Sequence, residues 1–439
     1  MEIPNSLVGF LGFLILFLLI FMRFPISFAF LFIGFLGLLY LSSSIAATTA
    51  LGGIAWTYGT SYTLMAIPLF ILMGQFAAGS GIGAELYGTA EKWLGWLPGG
   101  AAIATTWGCA GFAAVTGSTT TGILTFGPIA YRPMLERGYD RRLALGTICC
   151  GATIGVMIPP SIAFIVYATV TEESVGRLFM AGIFPGILEA VLYSAAIILI
   201  AGFGIWAGAP GSPSTWKEKL VSLKGVIGSL TLFIVVIGGI YGGIFTPTEA
   251  AAVGAFGSLV ILVIRKGIRW TPIRSAVMEC LRTTCMVYTL VIGSMVFAHF
   301  ITLTGLNVWL VEFITAWGAP HLAVLGLTLV VFLGLGCIMP AMPVIVLTVP
   351  FLYPIFTAVY GFSGIWFGVL VVAMMELAFV TPPIGVNLFV TKSLFRDEAP
   401  MGDIFRGVIP FVISDIFRVV IIVLFPAIAL WLPGMMFAR

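Results

Sequence analysis

Charged residues are scarce along this 439-residue chain: only 8% of its residues are Asp, Glu, Lys or Arg, against about 25% in a typical soluble domain. Between Arg282 and Lys392 there is no Lys or Arg, and the only acids are Glu312 and Glu376. So few charges cannot build a water-facing surface, and a run of this length can supply several apolar spans of roughly 20 residues each. The composition therefore excludes a soluble fold and predicts a protein that crosses the lipid bilayer.

Several chemical signatures are also missing. No basic cluster with interleaved aromatic residues occurs, which argues against nucleic acid as a partner. The six cysteines show no CxxC spacing, and there is no HExxH motif, phosphate-binding loop or nucleophile–base pair. We interpret the isolated His299 and His321 as core or interface residues. The sequence therefore predicts no enzyme and no bound cofactor, and an intramembrane enzyme is kept only as an alternative that requires a buried nucleophile beside a base.

Apolar runs of helical length divide the chain. They lie near 6–22, 26–42, 61–79, 181–205, 225–245, 248–264, 284–303 and 408–432. Runs broken by Gly, Pro, Ser and Thr lie near 97–131, 141–170, 321–354 and 364–395. The first apolar run precedes Arg23, which is the reverse of the order in a cleaved signal peptide, so we expect a retained span.

The remaining segments are predicted as connections or surface helices. Loops are expected near 43–60, 171–180 and 304–320, and the longest polar linker runs from Pro210 to Lys224. The segment Glu85 to Trp96 is typical of an amphipathic helix at the membrane surface, and Ile268 to Thr283 is its candidate counterpart. None of these connections is long enough for a separate soluble domain.

Three proline landmarks recur at a nearly constant separation. They are Pro25 and Pro247, 222 residues apart, the pairs 159–160 and 382–383, 223 apart, and Pro185 and Pro410, 225 apart. Internal duplication of this kind is common among secondary transporters. We therefore predict a first repeat over 1–222, with a scaffold at 1–96 and a transport region at 97–205. The second repeat covers 223–439, with a scaffold at 223–320 and a transport region at 321–432.

The charges indicate that the two repeats are inverted. Four arginines follow the first broken hairpin, at 132, 137, 141 and 142, whereas the equivalent segment 354–364 has no Lys or Arg. Because Lys and Arg favour cytoplasmic loops, equivalent loops are expected on opposite sides of the membrane. Both termini are then periplasmic, and of the 20 Lys and Arg only Arg177 and Arg439 fall outside.

This pattern predicts the fold class. We expect an all-α polytopic membrane protein built as an inverted repeat, with two re-entrant helical hairpins and two broken transmembrane helices.

The tip of the first hairpin, Phe112 to Gly122, combines hydroxyl residues with two glycines. Broken backbone survives in the membrane only inside protein or beside a polar cavity. Its free carbonyls, with the hydroxyls of Thr116, Ser118 and Thr119, are hard oxygen ligands that suit an alkali cation. The alternative is Ser/Thr packing between helices, but the density of hydroxyls in one re-entrant segment favours a site.

The double prolines Pro159–Pro160 and Pro382–Pro383 predict two helix breaks. Each proline lacks an N–H and clashes with the preceding turn, which frees carbonyls near 155–158 and 378–381. Half-helix ends also present partial charges that attract ions. A kink without a ligand is the alternative for one proline, whereas two repeat-related pairs favour binding.

Few acids lie within the apolar segments. Glu249 follows Pro247 at a helix start, where a carboxylate suits the positive end of the helix dipole, so its role is expected to be structural. Glu376 and Asp415 lie near the ends of spans or gaps, where snorkelling is possible. Glu376 is kept as a functional candidate.

Several motifs resemble one transporter family. They are Gly238 to Ala255, Arg137 to Asp140, Ile158 to Ser161, Ala181 to Gly186 and Thr381 to Phe389. Over essentially the whole chain these residues are similar to the large membrane subunit of tripartite ATP-independent periplasmic (TRAP) transporters, the DctM-like family. The resemblance implies an elevator-type ion-transporter fold, sodium as the coupling ion, and a small organic acid such as a C4-dicarboxylate or a sugar acid as substrate. It also implies two partners in the bacterial inner membrane system: a small four-helix membrane subunit and a periplasmic substrate-binding protein.

The resemblance also implies site residues. The first sodium site corresponds to Ala113, Thr116, Gly117, Ser118, Gly155, Ile158 and Ser161. The second corresponds to Gly336, Ala378, Thr381 and Ile384, and the substrate region to Thr119, Pro159, Pro160, Pro382, Pro383 and Asn387. The chain departs from the family at Ala113, where serine is frequent, and at Cys337 to Pro343, where many members carry an acid. A stand-alone anion symporter of the same wider fold and a non-transporting scaffold remain alternatives.

Overall fold

A computed structural model describes residues 4–211, 213–318 and 320–436. Every regular element in this part of the chain is a helix, which confirms the all-α class. The predicted positions of Arg439 and of the two chain ends lie outside the described residues.

The described residues of the first half of the chain form eleven α-helices. The segment before the first hairpin contains α1 (Asn5–Phe21), α2 (Ile26–Leu41), α3 (Ser44–Gly59), α4 (Ala66–Ser80) and α5 (Ile82–Leu94). The hairpin and the segments after it contain α6 (Gly100–Thr116), α7 (Thr119–Glu136), α8 (Arg141–Gly151), α9 (Ile154–Met157), α10 (Ile162–Thr171) and α11 (Val175–Gly202). The helices therefore break at 117–118 and again around Pro159–Pro160, where the sequence predicts the breaks.

The described residues of the second half also form helices and helical turns. Its first segment contains α12 (Trp216–Phe233), a π-helical turn (Ile234–Gly238), α13 (Gly239–Tyr241), α14 (Pro247–Lys266), α15 (Trp270–Thr304) and α16 (Leu306–Trp317). The rest contains α17 (His321–Ile338), α18 (Ala341–Pro354), a π-helical turn (Ile355–Val359), α19 (Gly364–Val380), α20 (Val386–Phe395), a 3₁₀ turn (Arg396–Glu398), α21 (Met401–Leu424) and α22 (Ala427–Met436). The second hairpin turns at 339–340, and the second helix break falls at 381–385.

Eight of the described helical segments are long and apolar enough to cross a membrane, or nine if the bent pair α4–α5 counts as one span. The bend between α4 and α5 is 69°, and it turns α5 into a separate amphipathic helix as the sequence predicts. Many large apolar side chains remain exposed, among them Phe10, Trp56, Phe256 and Trp309. An outward-facing apolar surface of this kind suits contact with lipid rather than with water.

Several predicted loops are wrong. Residues 43–60 contain α3, residues 304–320 contain α16, and α11 takes up half of 171–180. Backbone N–H and C=O groups at a membrane must be satisfied within the chain, so even short connections form helices. Ser43 shows how locally this is achieved, since its hydroxyl caps α3 by accepting a hydrogen bond from the Ala46 N–H at 3.2 Å.

The second half corrects two further expectations. The predicted surface helix 268–283 and the span 284–303 form one continuous helix, α15, of 35 residues. The polar linker Pro210 to Lys224 is helical from Trp216, where Thr215 and Glu218 cap α12. The expectation for Glu249 is confirmed, because its carboxylate accepts a hydrogen bond from the Thr246 N–H at 2.8 Å at the start of α14.

Charged groups organise the end of the first hairpin. Asp140 caps α8 by accepting from the Arg142 N–H at 2.8 Å, and its carboxylate also binds the Arg142 side chain. The Arg142 guanidinium holds the pKa of the Asp140 carboxyl below its usual value. Arg137, three residues earlier, pairs with Glu91 on α5. These contacts fix the exit of the hairpin against the amphipathic helix.

The two halves meet through direct backbone contact between α8 and α21. A Cβ on Gly146 would lie 2.1 Å from the Gly407 carbonyl oxygen, so neither position has room for a side chain. Around this contact a buried apolar cluster collects residues of both halves, including Phe126, Leu145, Leu388 and Phe411. The segments that carry both helix breaks therefore share one core.

Candidate functional site

The tip of the first hairpin is a two-residue break between α6 and α7. Gly117 has φ 58° and ends α6, and Ser118 is the N-cap of α7. The Thr116 hydroxyl donates to the Phe112 carbonyl at 3.0 Å, whereas the Ser118 hydroxyl accepts from the Thr121 N–H at 3.4 Å. Ser118 Oγ also accepts from the Thr121 hydroxyl at 3.1 Å, so a cation at this oxygen must displace one of its two donors. The Thr116 oxygen retains its lone pairs.

This tip lies directly against the first helix break. A Cβ placed on Gly155 would lie 3.4 Å from Ala113 Cβ and 3.7 Å from the Ser118 backbone nitrogen. A Cβ on Gly117 would lie 2.2 Å from the Pro160 carbonyl oxygen and 4.0 Å from Ser161 Cα. The structure thus joins two segments that are about 40 residues apart in sequence, and it brings most of the predicted first site together.

The other residues of the first site occupy the ends of the broken helix. Ile158 ends α9 in extended conformation and is buried. Ser161 is the N-cap of α10, where its hydroxyl accepts from the Phe164 N–H at 3.4 Å. The carbonyls before the double proline and the N-terminus after it therefore lie on either side of one gap.

The second hairpin and the second break make a sparser arrangement. A Cβ on Gly336 would lie 2.6 Å from Ala378 Cβ. The Cys337 Sγ lies 3.9 Å from the Ala378 carbonyl oxygen and 4.0 Å from the Thr381 carbonyl oxygen. The predicted ligand Ile384 lies in the turn before α20, with its side chain 43% exposed. Three of the four residues predicted for the second site are therefore close together.

The donor sets of the two arrangements suit a hard cation to different degrees. The first offers three hydroxyls, of Thr116, Ser118 and Ser161, together with backbone carbonyls, and oxygen ligands are those that hard cations prefer. The second offers carbonyls and the Thr381 hydroxyl, which donates to the Leu377 carbonyl at 2.6 Å. It also offers the Cys337 sulfur, a soft ligand that a hard cation disfavours. The residues present thus fit an alkali cation best at the first hairpin.

A cavity of about 770 Å³ opens beside the first tip and the second hairpin. Its walls come from the predicted transport region, including Thr119, Pro340 and Asn387, and from the predicted scaffold, including Gln75 and Glu279. Thr119 and Asn387, both predicted for the substrate region, therefore line the same cavity. Of the four predicted prolines, Pro159 and Pro160 are buried and Pro383 is exposed, and the residues described as lining the cavity include none of the four.

The polar groups of this cavity are mainly hydroxyls and amides. Glu279 is the one charged side chain among the described lining residues. Asn387 is fully buried, its amide N–H donates to the Cys149 carbonyl at 3.5 Å, and its Oδ1 has no hydrogen-bond partner among the described residues. The N-termini of α7 and α20 begin at this cavity, and helix N-termini favour negative charge. The two helix N-termini therefore give this wall of the cavity partial positive charge.

Four ionisable side chains that the charge pattern alone does not bring together meet in the interior. Glu189, Glu376, Asp415 and Arg418 are each 0% exposed. Arg418 pairs with Glu189, with Glu376 at 2.8 Å and with Asp415 at 3.3 Å. The expectation that Lys and Arg other than 177 and 439 face the cytoplasm is therefore wrong for Arg418, and neither Glu376 nor Asp415 snorkels to a surface.

Sequence reasoning missed Glu189 and Arg418 entirely. A signal was present, because Asp415 and Arg418 lie three residues apart in an apolar helix, and charges inside apolar spans mark function by default. Their partners on α11 and α19 are distant in sequence, so only the fold reveals the cluster.

The chain was compared with known proteins. The sequence profile of the tripartite ATP-independent periplasmic transporter, DctM component, matches residues 13–428. The C4-dicarboxylate TRAP transporter large permease protein of Pseudomonas aeruginosa is 34% identical over 375 residues, which is 85% of this chain and 86% of the relative. The sialic acid TRAP transporter large permease protein of Vibrio cholerae is 28% identical and covers 98% of both chains. Among solved structures, the YdaH transporter of Alcanivorax borkumensis matches with a TM-score of 0.58 at 12% identity over 88% of each chain, a likeness of fold alone.

Proposed function

The chain belongs to the DctM family of tripartite ATP-independent periplasmic transporters, and from that membership we propose that it imports a small organic acid by sodium symport. Membership makes it the large permease subunit of a transporter that depends on a periplasmic binding protein, and a multi-pass protein of the bacterial inner membrane. The relatives with this role are permeases rather than enzymes. The coupling ion, the substrate class and the mechanism are the content of the proposal.

One observation carries the sodium assignment: the hydroxyl-rich tip of the first hairpin lies against the carbonyls of the first helix break, at the wall of the cavity. Thr116 and Ser118 come from the hairpin, and Gly155 and Ser161 come from the broken helix. A cation bound between them holds two separate segments together. Because Thr116, Ser118 and the adjacent Thr119 all line the cavity, a cation bound there is expected to link ion and substrate binding.

The organic-acid assignment rests on the cavity and on the relatives. The relatives named above carry a C4-dicarboxylate and sialic acid, according to their names. A carboxylate in this cavity meets the N-termini of α7 and α20, the amide of Asn387 and the co-bound cation. Sodium therefore supplies the positive charge that the described lining residues do not.

The elevator mechanism is part of this proposal because the family resemblance implies it. The first hairpin and the ends of both broken helices share the apolar cluster around Phe126 and Phe411, and we expect them to move together. The second hairpin packs in a separate cluster with Phe30 and Phe297. A receptor that closes around its substrate is expected to release it over the two hairpin tips. The small membrane subunit is expected to complete the scaffold.

Reconstituted vesicles test the proposal. The chain and its small partner subunit are inserted together, and uptake of the receptor's ligand is measured with sodium or with choline outside. We expect uptake only when both sodium and the cognate receptor are present. Undiminished uptake in choline with a proton gradient alone contradicts sodium coupling. Robust saturable uptake without the receptor favours the stand-alone symporter instead.

A further inference from the structure

Four buried ionisable groups form a cluster between α11, α19 and α21. Glu189 lies on α11, Glu376 on α19, and Asp415 and Arg418 on α21. The Arg418 guanidinium is shared by all three carboxyl groups. Burying charges is costly unless each is paired, and removing one partner of such a pair is strongly destabilising. A chain with so few charges retains this cluster at the centre of its predicted transport region, where an intramembrane ionisable residue is a functional candidate.

One arm of the cluster reaches the first helix break. The Thr153 hydroxyl lies 3.0 Å from Glu189 Oε1 and shares its single proton between this oxygen and the Cys150 carbonyl, and the other oxygen of Glu189 binds Arg418. Thr153 immediately precedes α9, the four-residue helix that contains Gly155. The predicted cation ligands of the first break therefore follow directly on a residue that the cluster holds.

A second arm reaches the second helix break. Arg418 Nη1 lies 2.8 Å from Glu376 Oε2, and Nη2 donates to the Ala373 carbonyl at 3.4 Å. Both contacts are on the last turns of α19, which ends at Val380 immediately before Thr381. Three steps in series thus join the two breaks: Thr153 to Glu189, Glu189 to Arg418, and Arg418 to the end of α19, the last step through two parallel contacts.

The cluster also follows the internal repeat. Thr153 and Glu376 are 223 residues apart, the same separation as the two double prolines, and Tyr193 and Arg418 are 225 apart, as are Pro185 and Pro410. Tyr193 donates to Asp415 Oδ2 at 2.7 Å. Positions that the predicted repeat makes equivalent therefore belong to one cluster, but the first copy carries neutral hydroxyls where the second carries charges.

We propose that Arg418 is a positioning residue that makes the two cation sites cooperative. The inference rests on the proposed sodium symport and adds a coupling between its two sites. A cation at the first break fixes α9 and with it the Thr153 hydroxyl. That hydroxyl orients Glu189, which orients Arg418, which sets the end of α19 and its carbonyls for the second cation. By linkage the second cation has the same effect on the first.

The test measures the sodium dependence of uptake by the reconstituted complex with its receptor. Thr153→Val removes the hydroxyl but keeps the shape, and Thr153→Ser restores the hydroxyl. We expect a sigmoidal sodium curve for the unchanged chain. Thr153→Val should flatten the curve towards a Hill coefficient of about 1 and raise the half-saturating sodium concentration about fivefold, the lower range of allosteric coupling. The maximal rate at saturating sodium should change little, and Thr153→Ser should restore the sigmoidal shape.

Ser194, which lies on α11 together with Glu189, offers a matched control. Its hydroxyl accepts a hydrogen bond from Trp107 Nε1 at 3.1 Å and lies outside the series of contacts. Ser194→Ala should therefore lose a partly buried hydrogen bond without flattening the sodium curve. Glu189→Gln, which keeps size and shape, serves as a second variant of the series should Thr153→Val fail to fold.

A double-mutant cycle locates the coupling. Thr153→Val and Glu376→Gln act on opposite ends of the same series, so their effects on half-saturating sodium should be strongly non-additive. Additive effects overturn the inference, and so does a sigmoidal curve that survives Thr153→Val or a curve without cooperativity in the unchanged chain. Sodium-independent uptake by the unchanged chain overturns the proposed function and this inference with it, so the two failures are distinguishable.

Discussion

Both hairpin tips reverse the direction of the chain, but different types of residue surround them. The first turns through Gly117 and Ser118, and hydroxyl residues surround it. The second turns through Met339 and Pro340, and its nearest polar side chain is a cysteine. A duplicated architecture thus does not require duplicated ligands, because backbone carbonyls freed at the breaks are available in both copies whatever the side chains. The comparison teaches that the break is the shared element and that side chains tune each site separately.

The largest expected effect concerns the sides of the membrane on which the two hairpins end. Cysteine is placed at Glu136, after the first hairpin, and at Ala358, after the second, in a background without the six native cysteines. Both positions are exposed. Because the charge asymmetry predicts opposite sides, an impermeant thiol reagent added to intact cells should label position 358 and leave position 136 unlabelled. Labelling of both positions from outside contradicts the predicted inverted orientation of the two hairpins.

Crowding of the first tip should come next in size. Gly117→Ala places a methyl group 2.2 Å from the Pro160 carbonyl at a residue with φ 58°, so the tip and the break must separate. We expect sodium-driven uptake to fall more than about tenfold, the result of roughly 1.4 kcal/mol or more. Gly334→Ala on α17 is the control, because its Cβ meets nothing within 4 Å. Equal losses in both variants contradict a specific role for the tip contact.

Removal of one hydroxyl should have a smaller effect. Ser118→Ala deletes a candidate oxygen ligand and the N-cap of α7, so the half-saturating sodium concentration is expected to rise several-fold, consistent with about 1 kcal/mol for a cap. Thr302→Ala, whose hydroxyl bonds its own helix on α15, is the matched control. If uptake by both variants shows the sodium dependence of the unchanged chain, Ser118 is not a ligand.

The smallest expected effect is tighter sodium binding at the second hairpin tip. Cys337→Ser replaces a sulfur that lies 3.9 Å from the Ala378 carbonyl oxygen with a hard oxygen. Since hard cations prefer oxygen over sulfur, half-saturating sodium should fall by about twofold. Cys285→Ser, at an exposed cysteine on α15, should change nothing. A rise in half-saturating sodium at position 337 indicates that the sulfur only packs and that its site binds no cation.

The breaks were predictable because their cause is local. A double proline removes two N–H donors wherever it occurs, and α9 and α19 end just before 159 and 382. The tip at Gly117 was also predictable, since a glycine followed by a hydroxyl residue matches a C-cap and an N-cap in succession. These features depend on adjacent residues and need no knowledge of the fold.

The loops and the buried charges could not be predicted in the same way. Residues 44–59 contain many polar and small residues, and residues 306–317 form an apolar segment of only 12 residues, too short to span a membrane. The demand for internal hydrogen bonds makes both segments helical. From the sequence alone Arg418 is expected at the cytoplasmic side. Only the fold shows that carboxylates on α11 and α19 pair with it inside the protein. Ion pairs between distant segments depend on how the helices pack, and the charges of a single segment do not predict them.

The continuous helix α15 sets a length scale for the whole protein. At 1.5 Å per residue its 35 residues extend about 52 Å, whereas the hydrocarbon core of a bilayer is about 30 Å thick. The helix must tilt or protrude, and no break along it can absorb a change in membrane thickness. It packs along α2 and α4, so these helices inherit its inclination. A thicker or thinner membrane will therefore change the tilt angle of α15 rather than its length. The rate of transport is then expected to depend on the acyl-chain length of the surrounding lipid.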